Sequence, residues 1–436
     1  MRISNFKFQI SNVGVLFLFF ALFCLLIFTI PNSNAQTASQ LQEKIDQRNT
    51  DIQNLEKEIL GYQKEIEDLG KEVNTLSATV KSLDLTEKKL KADIQLTENK
   101  IGVKNDEIQG LSSEIINKED TIIDDKRIIS HSLALIQRTE DQSLIEVLLS
   151  SNSLLSAWNS MDELSSIQGS LLKRIENLRL VKSNLEANKK ATEKAKDELI
   201  RLNKQLKDQR QVVIDTQSEK NTLLKETKQS ESQYKKMMSE KLAQKEAFER
   251  EVLAYESQLK LAVDASKLPS TGSGVLSWPL DKVFITQYFG NTSFATANPQ
   301  VYGGKGHNGI DFRASIGTPI KASLSGTVIG VGNTDLVRGC YSYGKWVMIK
   351  HVNGLSTLYA HLSLQSVQKG QDVSVGQIVG YTGNTGYTTG PHLHFGVYAT
   401  EGVEIQKLTA GQSRNCAGAL IPLADFKAYL NPLSYL

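Results

Sequence analysis

Stepping by seven from Ile45 lands on Ile52, Ile59, Ile66, Val73, Val80, Glu87, Ile94, Ile101, Ile108 and Ile115. Ten of these eleven positions are β-branched and apolar, and a companion seam three residues on carries Leu55, Tyr62, Leu69, Leu76, Leu83, Leu90 and Leu111. A repeat of seven held this long constrains the chain more than any other feature. It predicts a coiled-coil rod, roughly 100 Å long at 1.5 Å per residue. A second, less regular grid carries Leu171, Leu178, Leu185, Leu199, Leu206 and Val213. Between the two grids the heptads fail in "SLIEVLLSSNSLLSAWNSMDELSSIQ", which predicts a small helical cap at about residues 120–168 where the chain turns back. The expected architecture is then a long antiparallel hairpin. Two parallel homodimeric coiled coils interrupted by a bulge fit the same seams. His131, just before the irregular stretch, reads as a solvated helix residue.

Proline and glycine mark where the rod ends. All eight prolines lie outside residues 32–268, and 24 of the 30 glycines fall at 272 or later. "SKLPSTGSG" (266–274) reads as a linker between a helical region at 36–265 and a second unit at 275–436. In that unit short apolar alternations such as "KWVMIKHV" and "STLYAHLSL" are broken by Gly and Asn every 8–12 residues, the pattern of an all-β sandwich or barrel-like domain. The fold class is therefore multidomain, α plus all-β. Charge is dense but balanced, 50 basic against 48 acidic residues with no long block of one sign, which argues against nucleic acid as the main partner.

The N-terminus predicts export. Arg2 and Lys7 flank a 16-residue apolar run at 15–30, and Ser33 and Ala35 suit cleavage after Ala35, so residues 1–35 read as a signal peptide. An uncleaved anchor tethering the protein is the other reading of that run. Export to the periplasm or cell surface leaves Cys340 and Cys416 in an oxidising setting, where they form a disulfide or remain two unpaired thiols.

Five of the six histidines lie between 307 and 394. "GHNGIDF" brings His307 and Asp311, "LYAHLS" brings His361, and "GPHLHF" brings His392 and His394. On a strand, residues two apart share a face, so His392 and His394 point into one groove while Leu393 and Phe395 turn to the core. A catalytic zinc site needs three N or O ligands and an open position for water. His307, Asp311 and one histidine of the pair supply that set, leaving two imidazoles to accept or return a proton. The glycine-rich "GYTGNTGYTTG" leads into a strand without the Lys and Ser or Thr of a phosphate loop, and reads as turns around the groove.

"HNGID", "YAHLS" and "GPHLHF", in that order, resemble the lysostaphin/LytM-type zinc metallopeptidases that cut peptidoglycan cross-bridges. The similarity extends over "WPL", "ITQYFG", "GTPIKASLSGTV" and "LNPLSYL". The resemblance implies one Zn2+ per domain held by His307, Asp311 and His394, with base or transition-state roles for His361 and His392. It offers Tyr302 as a residue that steadies the tetrahedral intermediate, and gives His351 a structural role. The hairpin followed by such a domain is similar to EnvC- and PcsB-type division hydrolases, in which a coiled coil with a helical hook docks on a membrane-protein partner. The implied function is an exported peptidoglycan endopeptidase regulated by its coiled coil, the short linker letting the helices fold over the groove. Two other classes fit parts of the chain: a non-catalytic, EnvC-like activator of a separate amidase, and an export-pump adaptor. All five His and Asp positions are intact, which argues against the activator. The β-sequence all follows the hairpin rather than flanking it, which argues against the adaptor.

Overall fold

The computed structural model describes residues 38–69, 75–140, 154–256, 268–269, 271–272, 274–290 and 306–436. The apolar run at 15–30, the cleavage position after Ala35 and Tyr302 lie outside the described residues. Among the described residues no helix is long and apolar enough to cross a membrane.

Four helices come first: α1 (Ala38–Leu69), α2 (Leu76–Glu140), α3 (Leu154–Thr227) and α4 (Glu231–Glu256). α2 and α3 run antiparallel, because partners that ascend along α2 descend along α3. Asp84 pairs with Lys220, Glu98 with Arg210 at 2.8 Å, Glu119 with Lys189 at 2.7 Å, and Asp125 with Arg174. α2 and α3 thus pair as two antiparallel helices, an arrangement consistent with the expected coiled-coil hairpin. Of the expected cap, residues 120–140 continue α2 and 154–168 continue α3, while 141–153 lie outside the described residues.

One feature of the rod differs from the heptad reading. The seven-residue grid runs from Ile45 to Ile115 with one exception at Glu87, but α1 ends at Leu69 and folds back antiparallel on α2. Arg48 pairs with Asp106 at 3.2 Å and Lys100 with Glu56 at 4.0 Å. Local chemistry outweighs the repeat here. In the sequence Leu69 is followed by Gly70, a residue type of low helix propensity. The Thr75 hydroxyl then caps α2 by accepting from the Ala78 N–H at 3.2 Å. Glu231, at the start of α4, accepts from the Leu76 N–H at 2.8 Å and closes the same helix end. α3 turns into α4 through Lys228 and Gln229, both with positive φ (48° and 55°).

The second unit holds twelve strands: β1 (Ile285–Gln287), β2 (Ile310–Arg313), β3 (Pro319–Lys321), β4 (Gly326–Asn333), β5 (Lys345–His351), β6 (Leu355–Gln365), β7 (Asp372–Val373), β8 (Ile378–Thr382), β9 (His392–Ala399), β10 (Val403–Lys407), β11 (Leu420–Ala424) and β12 (Tyr429–Leu430). Ten form one antiparallel sheet with the path β1-β2-β9-β6-β5-β4-β7, and β10 pairs with β11 separately. Both faces of the central strands are buried. Val347, Ile349, Tyr359, Leu393 and Phe395 pack on one side, and Trp346, Met348, Leu358, Ala360 and Tyr398 on the other.

The helices lie against this sheet unit at two places. Leu83 and Leu90 of α2 and Val212 of α3 pack on Ile316 and Tyr381, next to an ion pair between Asp215 and Lys345 at 2.9 Å. α4 inserts Phe248 into a cluster of Cys340, Leu408, Cys416, Ala419, Ile421 and Leu423. At its end the buried Glu256 accepts from the Ala424 N–H at 3.1 Å and from the Tyr429 hydroxyl at 2.8 Å. Burying Phe248 contributes about 1.5–3 kcal/mol.

Cys340 and Cys416 are disulfide-bonded across 76 residues of sequence and form the floor on which Phe248 sits. A bridge closing a loop of that length stabilises a domain by about 2–4 kcal/mol. Replacing both cysteines by serine is expected to lower urea-unfolding stability of the β-domain by that amount, with wild-type protein in reductant giving the same midpoint.

Candidate metal centre

β2 and β9 pair so that Asp311 lies opposite His394 and Arg313 opposite His392. Alternation sends Ile310, Phe312, Leu393 and Phe395 into the core and leaves Asp311, Arg313, His392 and His394 on the other face. His307, in an isolated bridge with Gly290 just before β2, brings its ring over the same spot. Three atoms converge there. His394 Nδ1 lies 2.9 Å from Asp311 Oδ1 and 3.1 Å from His307 Nε2, and His307 Nε2 lies 3.3 Å from Asp311 Oδ1.

The chemistry of this donor set fits a cation. His307 Nδ1 donates to the Tyr288 carbonyl at 3.1 Å, so its Nε2 presents a lone pair. That lone pair faces a carboxylate oxygen and a second imidazole nitrogen, all buried or nearly so. Burial by itself would raise the Asp311 carboxyl, but the neighbouring His392 and His307 hold it well below the usual carboxylate range. Three acceptors aimed at one point within 4.8 Å of one another need a positive charge between them. Two nitrogens and an oxygen are the ligand types of a catalytic zinc site.

The other two groove histidines stand beside this cluster. His361 lies where β6 leaves β9 for β8: Ala360 still pairs with His394, while Leu362 already pairs with Thr382. Its φ of 61° is a left-handed conformation for a non-glycine residue, a strained position that turns its ring into the groove. The ring centroid is 4.7 Å from His392 and 6.0 Å from His394. His361 Nδ1 donates to the Thr385 carbonyl, and His392 Nδ1 to the Gly390 carbonyl, both at 2.9 Å. Each therefore presents Nε2 as its free nitrogen, and His392 Nε2 is 3.8 Å from Asp311. Burial, reinforced by His392 and His394, drives the His361 imidazole well below the ordinary histidine value, so it is a neutral base at physiological pH.

All five sequence-derived positions thus share one groove. His351 does not join them. It is buried in β5–β6, with Nδ1 bonded to the Ser325 carbonyl at 3.1 Å and Nε2 to Thr357 Oγ1 at 2.9 Å, a structural histidine. One group escaped the sequence reading. Tyr343, whose hydroxyl accepts from Asn308 Nδ2 at 3.2 Å, has its ring 6.0 Å from His394. Burial pushes that hydroxyl far above its ordinary value, keeping it neutral. Nothing in "CYSYGKW" marks Tyr343, since it reaches the site only through the loop before β5.

The groove opens into a cavity of ≈ 1100 Å³ whose far wall is helical. Glu246, Glu249 and Val252 of α4 and Ile66 of α1 line it together with His307, Asp311, His361, His392 and His394. The helices therefore cover the face on which the histidines converge.

Residues 305–407 match the model of Peptidase family M23, so the chain carries a domain of that family. Over 89 residues it is 46% identical to the DD-carboxypeptidase/endopeptidase Mpg of Neisseria meningitidis serogroup B, covering 20% of this chain and 19% of that protein. Over 119 residues it is 41% identical to the peptidoglycan DD-endopeptidase ShyA of Vibrio cholerae, covering 27% and 24%. Lysostaphin of Staphylococcus simulans is 41% identical over 90 residues, covering 20% and 17%. The chain thus spans under a quarter of the length of these relatives.

Gly309, between His307 and Asp311, holds this geometry by having no side chain. A Cβ there would sit 2.6 Å from the Phe395 carbonyl and 2.7 Å from His394 Cε1. Gly309→Ala is expected to displace His394, destabilising the domain by about 1–3 kcal/mol and weakening zinc binding by about ten- to a hundredfold. Thermal unfolding and calorimetric zinc titration measure the two effects.

Proposed function

We propose that this chain is an exported, zinc-dependent peptidoglycan endopeptidase whose own helices hold the groove closed. The observation that carries the reading is the convergence of His307 Nε2, Asp311 Oδ1 and His394 Nδ1 beside two imidazoles with free Nε2 atoms. The similarity to ShyA, a peptidoglycan DD-endopeptidase, and to Mpg, a DD-carboxypeptidase/endopeptidase, supports the substrate class.

His307, Asp311 and His394 would hold the metal. Zinc bound there supplies a Lewis acid and lowers the pKa of water at the site. The rest falls to the chain. His361 is fixed by Thr385 and kept neutral, so its Nε2 takes a proton in the groove without first losing one. His392, fixed by the Gly390 carbonyl, carries a second free Nε2 on the Asp311 side that accepts a hydrogen bond in the groove, and the proton taken by His361 is the one returned to the leaving amine. Buried walls exclude competing water and strengthen each of these contacts.

Closure rests on α4. Phe248 anchors it on the disulfide, Glu256 latches its end, and Glu249 lines the cavity beside the metal ligands. Opening would follow when a partner, such as a membrane protein docked on the hairpin, draws α4 away. Phe248, with Val252 and Tyr255 beside it, is the apolar part of this contact, and the rest is hydrogen bonds and cation–ring contacts such as Glu251 with the Arg414 N–H and Lys245 over Tyr387. Losing Phe248 burial shifts the closed–open balance by about ten- to a hundredfold.

Two predictions test this. Purified full-length protein carrying Phe248→Asp is expected to release fragments from purified peptidoglycan at least about tenfold faster than wild type. Chelator or His394→Ala is expected to abolish that release, and His361→Ala to abolish it while zinc content stays at one per chain. If the zinc-loaded Phe248→Asp chain releases nothing, the activator reading replaces the enzyme, and fragment masses otherwise name the bond cut.

The second concerns pH. Burial raises Glu249 from 4.5 to about 7 in the closed state, partly offset by Lys245. The closed state therefore binds a proton that the open state releases. Closure is strongest below pH 4.5 and weakens as pH rises toward 7, with no further change above. A fluorescence-transfer pair across α4 and β11 is expected to report a several-fold larger open fraction at pH 7.5 than at pH 5, and Glu249→Gln to flatten that dependence.

A further inference from the structure

Arg313 ends β2 on the groove face, two residues from Asp311 and directly across the strand pair from His392. Side chains paired across antiparallel strands have Cβ atoms about 4.5–5.5 Å apart. Arg313 has no part in the proton transfers, and it is exposed, at the rim of the groove. It lines the cavity that holds the histidines. Its guanidinium lies over the Phe284 ring, 4.6 Å from the centroid, and its backbone N–H donates to the Phe284 carbonyl at 2.9 Å. That stack orders the fork without using its N–H groups.

Among the described residues no carboxylate pairs with Arg313. The nearest along the strand, Asp311, is engaged by His307 and His394, and Asp281, on the same side of the cavity, is paired with Lys321. Across the cavity the covering helices contribute Glu67 of α1 and Glu246 of α4. The cavity that Arg313 lines therefore already holds carboxylates besides Asp311.

We propose that Arg313 is a specificity-determining residue: it binds a free carboxylate of the substrate peptide beside the amide being cut. The proposal rests on the endopeptidase reading and names what its groove selects. A planar, always-charged fork matches a carboxylate with two parallel hydrogen bonds, whereas an amide in the same place offers one acceptor oxygen and no charge. Peptidoglycan stems carry such a group in two places, the C-terminal carboxylate and the side-chain carboxylate of a diamino-acid residue. Strand pairing sets the Arg313 side chain across from His392 with its fork over Phe284, so a carboxylate held there fixes the peptide at that edge of the site.

The test is a binding measurement on the full chain carrying Phe248→Asp, which exposes the groove, stripped of metal with chelator so that nothing is cut and no ion competes for carboxylates. Three fluorescent stem peptides are titrated by anisotropy: one with both carboxylates free, one with the C-terminal carboxylate amidated and one with the side-chain carboxylate amidated. One of the two amides is expected to bind about ten- to a hundredfold more weakly than the free acid, and which one identifies the source. Arg313→Gln is expected to remove the difference, and Arg313→Lys to keep part of it through charge alone. Equal affinity for all three peptides, or an acid preference that survives Arg313→Gln, overturns the proposal. Acid preference with no cleavage after zinc is restored upholds Arg313 and counts against the endopeptidase reading instead.

Discussion

Asp311 meets His394 because β2 and β9 pair in one register, with Ile310 against Phe395 and Phe312 against Leu393. Those four apolar residues are fully buried, so a slip of one residue would carry them to the groove and the ligands to the core. The hydrophobic alternation thereby enforces a polar arrangement that would not hold itself together. Three lone pairs facing one another, beside a deprotonated carboxylate, repel unless a cation stands between them. The sheet supplies the rigidity to keep them there, and Gly309 supplies the space.

The same rigidity explains the strained His361. Its left-handed backbone is held by strands on either side, β9 as far as Ala360 and β8 from Leu362. A histidine on regular strand geometry at that position would alternate with Ala360 and Leu362 without turning toward His392. The strain is thus coupled to the change of strand partner, and the free Nε2 follows from the Thr385 carbonyl that fixes Nδ1. Against this stiff platform the helices make a smaller, separable contact: an apolar anchor at Phe248, a latch at Glu256 and a second patch around Leu90 and Val212. Each depends on a few side chains, which is what a removable cover requires.

Much of this was legible in the residues. Period-two alternation in "GPHLHF" separated groove from core, and period-seven apolar spacing marked the antiparallel helices. Period alone misjudged the rod, because the grid runs on past Leu69 while α1 ends there and α2 starts again behind the Thr75 cap. Composition and compartment left the two cysteines as a disulfide or two thiols, and the structure joins them. Tyr343 and the backbone anchors at Thr385 and Gly390 were illegible, since they reach the site through tertiary packing of loops whose sequence carries no periodic signal. That helices cover the groove was an expectation from the short linker. That α4 does so through Phe248, on the very disulfide that staples the β10–β11 excursion, required coordinates.

The central claim is that His307, Asp311 and His394 together bind one zinc ion. Zinc-edge X-ray absorption on full-length protein loaded with one equivalent of metal tests it most directly. The account predicts two imidazole nitrogens and carboxylate oxygen at about 2.0–2.2 Å, with the imidazole signature halved or lost in His394→Ala. A spectrum that is unchanged in His394→Ala would contradict it.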